Sequence, residues 1–177
     1  MTATPPAAWR KFAAPLLLAL LTAAADLATK AWVVGTLPLY KARPVVDGWI
    51  DLVYVRNPGV AFSLLSDLDP RWANPLLISA TLVALSVLLV YLWQLPDKGP
   101  ARCGLGLVLG GAAGNLIDRV RFGYVIDFID LHWRSHHWPT FNVADIGITI
   151  GAALLVVEMI FFNKESDAPR PAADRKR

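Results

Sequence analysis

The apolar residues of this chain lie in long unbroken blocks rather than in periodic stripes, and this constrains the fold more than any other feature. A helix needs about 20 mainly apolar residues to cross a hydrocarbon core roughly 30 Å thick. Four blocks approach that length: Phe12 to Leu37, Pro75 to Trp93, Ala101 to Ile117 and Asp145 to Phe162. With 55% hydrophobic residues in 177, the chain is too apolar for an ordinary soluble domain. The pattern predicts a single integral membrane domain over 1–177, mainly α-helical, with transmembrane helices near 12–37, 75–93, 101–118 and 145–162.

The first block has an alternative reading as a secretory signal peptide, with Arg10 and Lys11 as its basic region and Ala23-Ala24-Ala25 as a cleavage site. Apolar sequence resumes after Asp26 through Ala31-Trp32-Val33-Val34, which favours a retained span. The net charge is +3, and its placement orients the chain. Arg10 and Lys11 precede the first span, Lys98 and Arg102 flank the second loop, and Lys164, Arg170, Arg175, Lys176 and Arg177 follow the fourth. The positive-inside rule then puts both termini in the cytoplasm, although the opposite loops also carry basic residues. This basic character orients a membrane protein and implies no nucleic-acid partner. Cys103 is the only cysteine, so there is no disulfide framework and no thiolate metal cluster; it reads as a small buried hydrophobe.

Between the first two spans the pattern changes. From Val45 to Asn57, Ile50, Leu52, Tyr54 and Arg56 alternate with Trp49, Asp51, Val53 and Val55, a strand period that ends at the turn Asn57-Pro58-Gly59. A small β-containing cap over 40–70, with a short amphipathic helix at Ala61 to Leu68, is expected on the outer face. The loop from Arg121 to Thr140, with Trp133, Trp138 and three histidines, suits an interfacial cover. Asn74 reads as a helix cap before Pro75, and residues 1–9 and 163–177 as disordered ends. Gly106, Gly110 and Gly114 recur every fourth residue, as do Gly147 and Gly151, a spacing that lets the third and fourth helices approach closely.

Ionisable groups in or beside membrane spans are costly and suggest function. Asp26 and Lys30 share one helix face and can form an ion pair. Gly114-Asn115-Leu116-Ile117-Asp118-Arg119 ends the third span, where Arg119 could hold Asp118. Asp127 and Asp130 sit in an apolar run, and Asn142 and Asp145 open the fourth span. Each alone has a structural explanation, such as a macrodipole-favoured acid at Asp145. Together they gather at one membrane face. No serine has a partnered histidine motif, and Trp133 stands between His132 and His136 where a zincin places its glutamate. A carboxylate pair is the simplest remaining chemistry, one acid protonated and the other ionised by mutual repulsion. Spacing leaves open which acids form it. A proton-coupled transporter or a helix-packing protein would use the same residues differently.

The strings Asp26…Lys30, Asn57-Pro58-Gly59-Val60-Ala61-Phe62-Ser63, Gly114-Asn115-Leu116-Ile117-Asp118-Arg119, Val125-Ile126-Asp127-Phe128 and Phe141-Asn142-Val143-Ala144-Asp145, in this order, resemble the lipoprotein signal peptidases (signal peptidase II) over nearly the whole chain. Leu27 departs from the polar residue often found after the first aspartate of that pattern. The resemblance implies four transmembrane helices with an extracytoplasmic β-cradle in a bacterial inner membrane. It implies an aspartic endopeptidase, with Asp127 and Asp145 catalytic and Asp26, Lys30, Asn57, Asn115, Asp118, Arg119 and Asn142 in support. The expected substrates are prolipoproteins whose lipobox cysteine carries a diacylglyceryl group, met in membrane lipid by a monomer that needs no metal and no cofactor.

Overall fold

The computed structural model describes residues 10–59, 70–96 and 99–161. In chain order the elements are α1 (Arg10–Thr36), β1 (Ala42–Val46), β2 (Ile50–Asn57), α2 (Pro70–Gln94), α3 (Pro100–Phe122), β3 (Val125–Trp133), β4 (His136–His137) and α4 (Val143–Phe161). The expected amphipathic stretch at Ala61 to Leu68 and the expected disordered ends lie outside the described residues.

Three of these helices, α1, α2 and α4, are long and apolar enough to cross a membrane. Their outer faces display Leu20, Leu21, Val83, Val87, Val90, Ile150 and Met159, side chains that would lie in water if the helices were not in lipid. The remaining helix, α3, is of comparable length, about 34 Å at the α-helical rise, but it is built to be packed around. It runs against α4 and α1 most extensively and α2 less so. Gly104, Leu105, Gly106, Leu109, Gly110, Gly111, Gly114 and Asp118 are all buried along it.

The glycines of α3 divide between two neighbours, and this corrects the expectation that one stripe joins α3 to α4. Gly106 and Gly110 lie against the backbone of Pro15 and Ala19 of α1, and Gly114 lies under the Asp26 side chain. The α3–α4 contact uses Gly104 against Gly151, and Gly111 against Ala144. At 3.6 residues per turn, positions 104 and 111 face a different side of the helix from 106, 110 and 114. A β-carbon at any of the glycines facing backbone would collide with it, so both neighbours can approach α3 only because these residues are glycine.

Three smaller readings also change. α2 begins at Pro70, so Asn74 lies inside the helix; instead of capping, its Nδ2 donates to the Arg119 carbonyl at 3.2 Å, tying α2 to α3. Arg102 is buried and donates to the carbonyls of Leu95 and Pro96, each at 3.1 Å, and of Lys11, so it closes a loop rather than standing free as a flanking charge. Cys103 is exposed on the outside of α3.

The alternation from Val45 onward resolves into a hairpin. Gly48, at φ 78°, makes the three-residue turn between β1 and β2. The Arg121 to Thr140 segment holds β3 and β4, giving an antiparallel sheet in the order β1-β2-β3-β4. One part of this sheet rests on the end of α1: Tyr54, Ile126 and Phe128 pack with Val33 and Leu37. On β3, the residues between these point the other way, so Asp127 is turned from the apolar cluster toward a cavity.

Candidate active site

Two groups of buried and half-buried polar residues occupy this end of the molecule. The first centres on Lys30, which is 1% exposed. Its ammonium has three donors and meets three acceptors: Asp26 at 2.7 Å, Asp118 at 2.9 Å and the Asn115 Oδ1 at 2.9 Å. Asp26 also accepts from the Ala144 N–H at 2.9 Å, and Asp118 from the Ile126 N–H at 3.1 Å. Asp118 is therefore held by Lys30 and the β3 backbone, not by its neighbour Arg119. The group fastens α1 to α3, to the start of α4 and to β3.

The second group centres on Asn142. Its side-chain Oδ1 accepts from the Asp145 N–H at 3.0 Å, and its backbone N–H donates to the Asp145 Oδ2 at 3.2 Å, a reciprocal cap at the start of α4. The Asn142 Nδ2 reaches the Asp127 Oδ1 at 2.7 Å, with the Asn115 Oδ1 and the Ile126 carbonyl also within 3.2 Å. Asn115 completes the link by donating to the Asp145 Oδ1 at 2.9 Å. On the far side of Asp127, Asn57 Nδ2 donates to Oδ2 at 2.8 Å. Asn57 is itself fixed by the Gly59 N–H, 2.8 Å from its side-chain oxygen, in a turn where Gly59 takes φ 100°. In the β2–β3 register Val55 opposes Asp127 and Asn57 opposes Val125, so Asn57 and Asp127 are diagonal neighbours on one sheet face.

Asp127 and Asp145 both wall a cavity of about 660 Å³, together with Asn57, Asn115, Arg56 and Arg119. Burial pushes the Asp127 carboxyl up to about 6; the Asn57 hydrogen bond opposes this, and the nearby Asp145 charge adds to it. The Arg119 Nη1 is buried without a hydrogen-bond partner among the described residues. Asp130 does not share this cavity: it pairs with His137 at 2.9 Å. His132 stacks on His137 at 4.9 Å and lies 3.4 Å from Asp51. No set of three or more His, Cys, Asp or Glu side chains among the described residues is arranged to hold a metal ion.

Comparison with known proteins identifies the family. A family model described as Signal peptidase (SPase) II matches residues 18–161. The chain belongs to the signal peptidase II family. It is 50% identical over 143 residues to the lipoprotein signal peptidase of Syntrophotalea carbinolica, covering 80% of this chain and 88% of that protein. To the lipoprotein signal peptidase of Geobacter metallireducens it is 50% identical over 136 residues, 76% of this chain and 83% of that one. A solved bacterial membrane enzyme, determined by the in meso method at 1.9 Å resolution, superposes with a TM-score of 0.74 at 27% identity, covering 84% of this chain and 93% of the other. The signal peptidase II family is a family of proteases.

Every site residue expected from the sequence of this family member falls in one of the two groups or on the cavity wall. The sequence did not reveal Asn142 as the bridge between two carboxyls, because its contacts reach back to β3 and α3. Nor did it reveal Arg56 at the cavity wall, flanked by Tyr54 at 5.6 Å and Tyr124 at 5.1 Å. The strand alternation could have placed Arg56; the Tyr124 contact needs the fold.

Proposed function

We propose that this chain is an aspartic endopeptidase that removes signal peptides from diacylglyceryl-modified lipoprotein precursors, cutting on the N-terminal side of the lipidated cysteine, with Asp127 and Asp145 as its catalytic pair. The observation that carries the reading is that Asn142 bonds both carboxyls while both wall one cavity. Asp118 and Asp130 are spent on Lys30 and His137.

A pair of this kind works with one carboxyl neutral and the other ionised. Asp127, raised by burial, is suited to hold the proton. The ionised partner, Asp145, takes a proton from water as the water oxygen bonds to the scissile carbonyl carbon, and Asp127 gives its proton to the carbonyl oxygen. In the tetrahedral intermediate, a proton passes from Asp145 to the amide nitrogen, a hydroxyl proton returns to Asp127, and the C–N bond breaks. The products are a carboxylic acid and the amine of the lipidated cysteine. Asn57, Asn115 and Asn142 hold the carboxyls in register, and the Arg119 Nη1, without a partner among the described residues, suits a substrate carbonyl.

The family and the three apolar helices support a place in the bacterial inner membrane. Packed α3 serves as a fourth span, both termini face the cytoplasm, and the sheet and the cavity lie at the extracytoplasmic side, where a lipidated precursor presents its scissile bond. The whole chain acts as one monomeric membrane domain with no cofactor. The test is cleavage of a synthetic lipidated precursor by Asp127→Asn and Asp145→Asn chains; full activity in both would overturn the assignment.

A further inference from the structure

A second groove adjoins the candidate site and has no role in the chemistry above. It has a volume of about 380 Å³ and is lined by Leu131, Trp138, Phe141, Asp145, Ile146, Thr149 and Ile150. Asp145 lines both, so the groove adjoins the catalytic cavity at this residue. One wall is tied to the sheet by its backbone: Phe141 pairs with β3 through Ile129, and the Trp138 N–H donates to the Leu131 carbonyl at 2.8 Å. The other wall is the first turns of α4, where Ile146 and Ile150 are exposed on a helix apolar enough to cross a membrane. Away from Asp145 the lining offers almost nothing polar, since the Thr149 hydroxyl donates to its own helix at the Asp145 carbonyl, 2.8 Å away.

We infer that this groove seats one hydrocarbon chain of the lipid on the substrate cysteine, entering sideways between Trp138 and α4 and directing the adjoining peptide bond toward Asp145. The inference rests on the peptidase reading. The groove's lining joins Asp145, one of the reacting pair, to Ile146 and Ile150 on the exposed, apolar surface of α4, the neighbours that a chain tethered beside the scissile bond would meet. A signal peptide's backbone would leave N–H and C=O groups unpaired against such a lining, whereas a hydrocarbon chain leaves none. A chain already in lipid gains no hydrophobic transfer on entry, so the groove acts through packing and position. Its effect should appear in how well the scissile bond is presented.

The test uses the full Asp127→Asn chain in nanodiscs, with a lipopeptide carrying a diazirine at the end of one acyl chain. Labelling concentrated at Trp138, Ile146 and Ile150, and competed by unlabelled lipopeptide, is the expected result. Equal labelling of these residues by a diazirine phospholipid that lipopeptide does not displace would overturn the inference, as would labelling of them by a diazirine in the apolar part of the signal peptide instead. In the otherwise wild-type chain, Ile150→Trp should lower kcat/KM for long-chain lipopeptides about tenfold while sparing one with short acyl chains. An equal loss for all chain lengths would also overturn it. Cleavage with labelling elsewhere sinks the groove alone; no cleavage of any lipopeptide by the wild-type chain sinks the peptidase reading and the groove with it.

Discussion

The Lys30 group and the Asn142 group lie within one hydrogen bond of each other, yet they treat buried carboxylates in opposite ways. Asp26 and Asp118 each face a full positive charge at under 3 Å and have backbone N–H donors besides. Asp127 and Asp145 are held by amides, and both keep a surface on a cavity. Neutralising a buried acid with a lysine secures a helix junction but leaves the acid little freedom to exchange protons. Holding an acid with neutral amides fixes its position and leaves its proton available. Asn115 joins the two, accepting from Lys30 and donating to Asp145.

The sharpest way to break this contrast is to neutralise acids from each group in turn. Asp127→Asn or Asp145→Asn should lower cleavage of a lipidated precursor roughly a thousandfold or more, within the range of acid–base catalysis, with helical content by circular dichroism unchanged. Lys30→Met should do the reverse of a catalytic change: it strands two buried acids and costs about 3 kcal/mol or more of stability. That loss would be read from thermal unfolding in detergent. Adding Asp26→Asn and Asp118→Asn to it should recover much of the loss; no recovery would mean that Lys30 acts through more than charge.

Asn142→Ala tests the bridge. It removes a helix cap worth about 1 kcal/mol and also the link between the carboxyls, so activity should fall about a hundredfold, far beyond the stability loss. The pH profile gives a finer probe. If neutral Asp127 donates the proton, activity falls as pH rises through its value of about 6. The Asn57 hydrogen bond lowers that value, so Asn57→Ala should move this limb to higher pH, seen as relatively more residual activity at pH 7 than at pH 5. An unmoved or downward-moving limb would separate the limb from Asp127. The smallest effect is expected at Asp130→Asn, outside both groups and paired with a half-exposed histidine. Cleavage should stay within about twofold and stability within about 1 kcal/mol.

Much of the helical framework is legible in the sequence because a bilayer demands long apolar runs, and among the described residues the four blocks overlap α1, α2, α3 and α4 in turn. The β2 alternation was legible because apolar Ile50, Leu52 and Tyr54 recur at every second residue, with Leu52 and Tyr54 meeting the apolar cluster at the end of α1. β3 was not: Val125 to Phe128 is buried at every position, so the two-residue period vanishes just where Asp127 sits. The glycine spacing marked close helix contacts but could not name the neighbour, since Gly106 and Gly111 choose different helices by an angle on α3. Asn74 read as a cap because Pro75 follows it, and the helix extends past that signal by packing onto α3.

The sequence by itself determined that this chain is a membrane protein of apolar helices, with too many acids and amides near one face for them all to be left unpaired. That follows from the cost of a polar group in hydrocarbon, which depends on residue type and run length alone. Which acid meets which partner was decided only by tertiary structure. Lys30 finds Asn115 across 85 positions, Asp26 finds the Ala144 N–H across 118, and Asn57 finds Asp127 across 70. Such bonds depend on the angle at which α3's glycines admit their neighbours and on the register of β2 against β3. These set Asp118 against a lysine and left Asp127 beside Asp145 at a cavity.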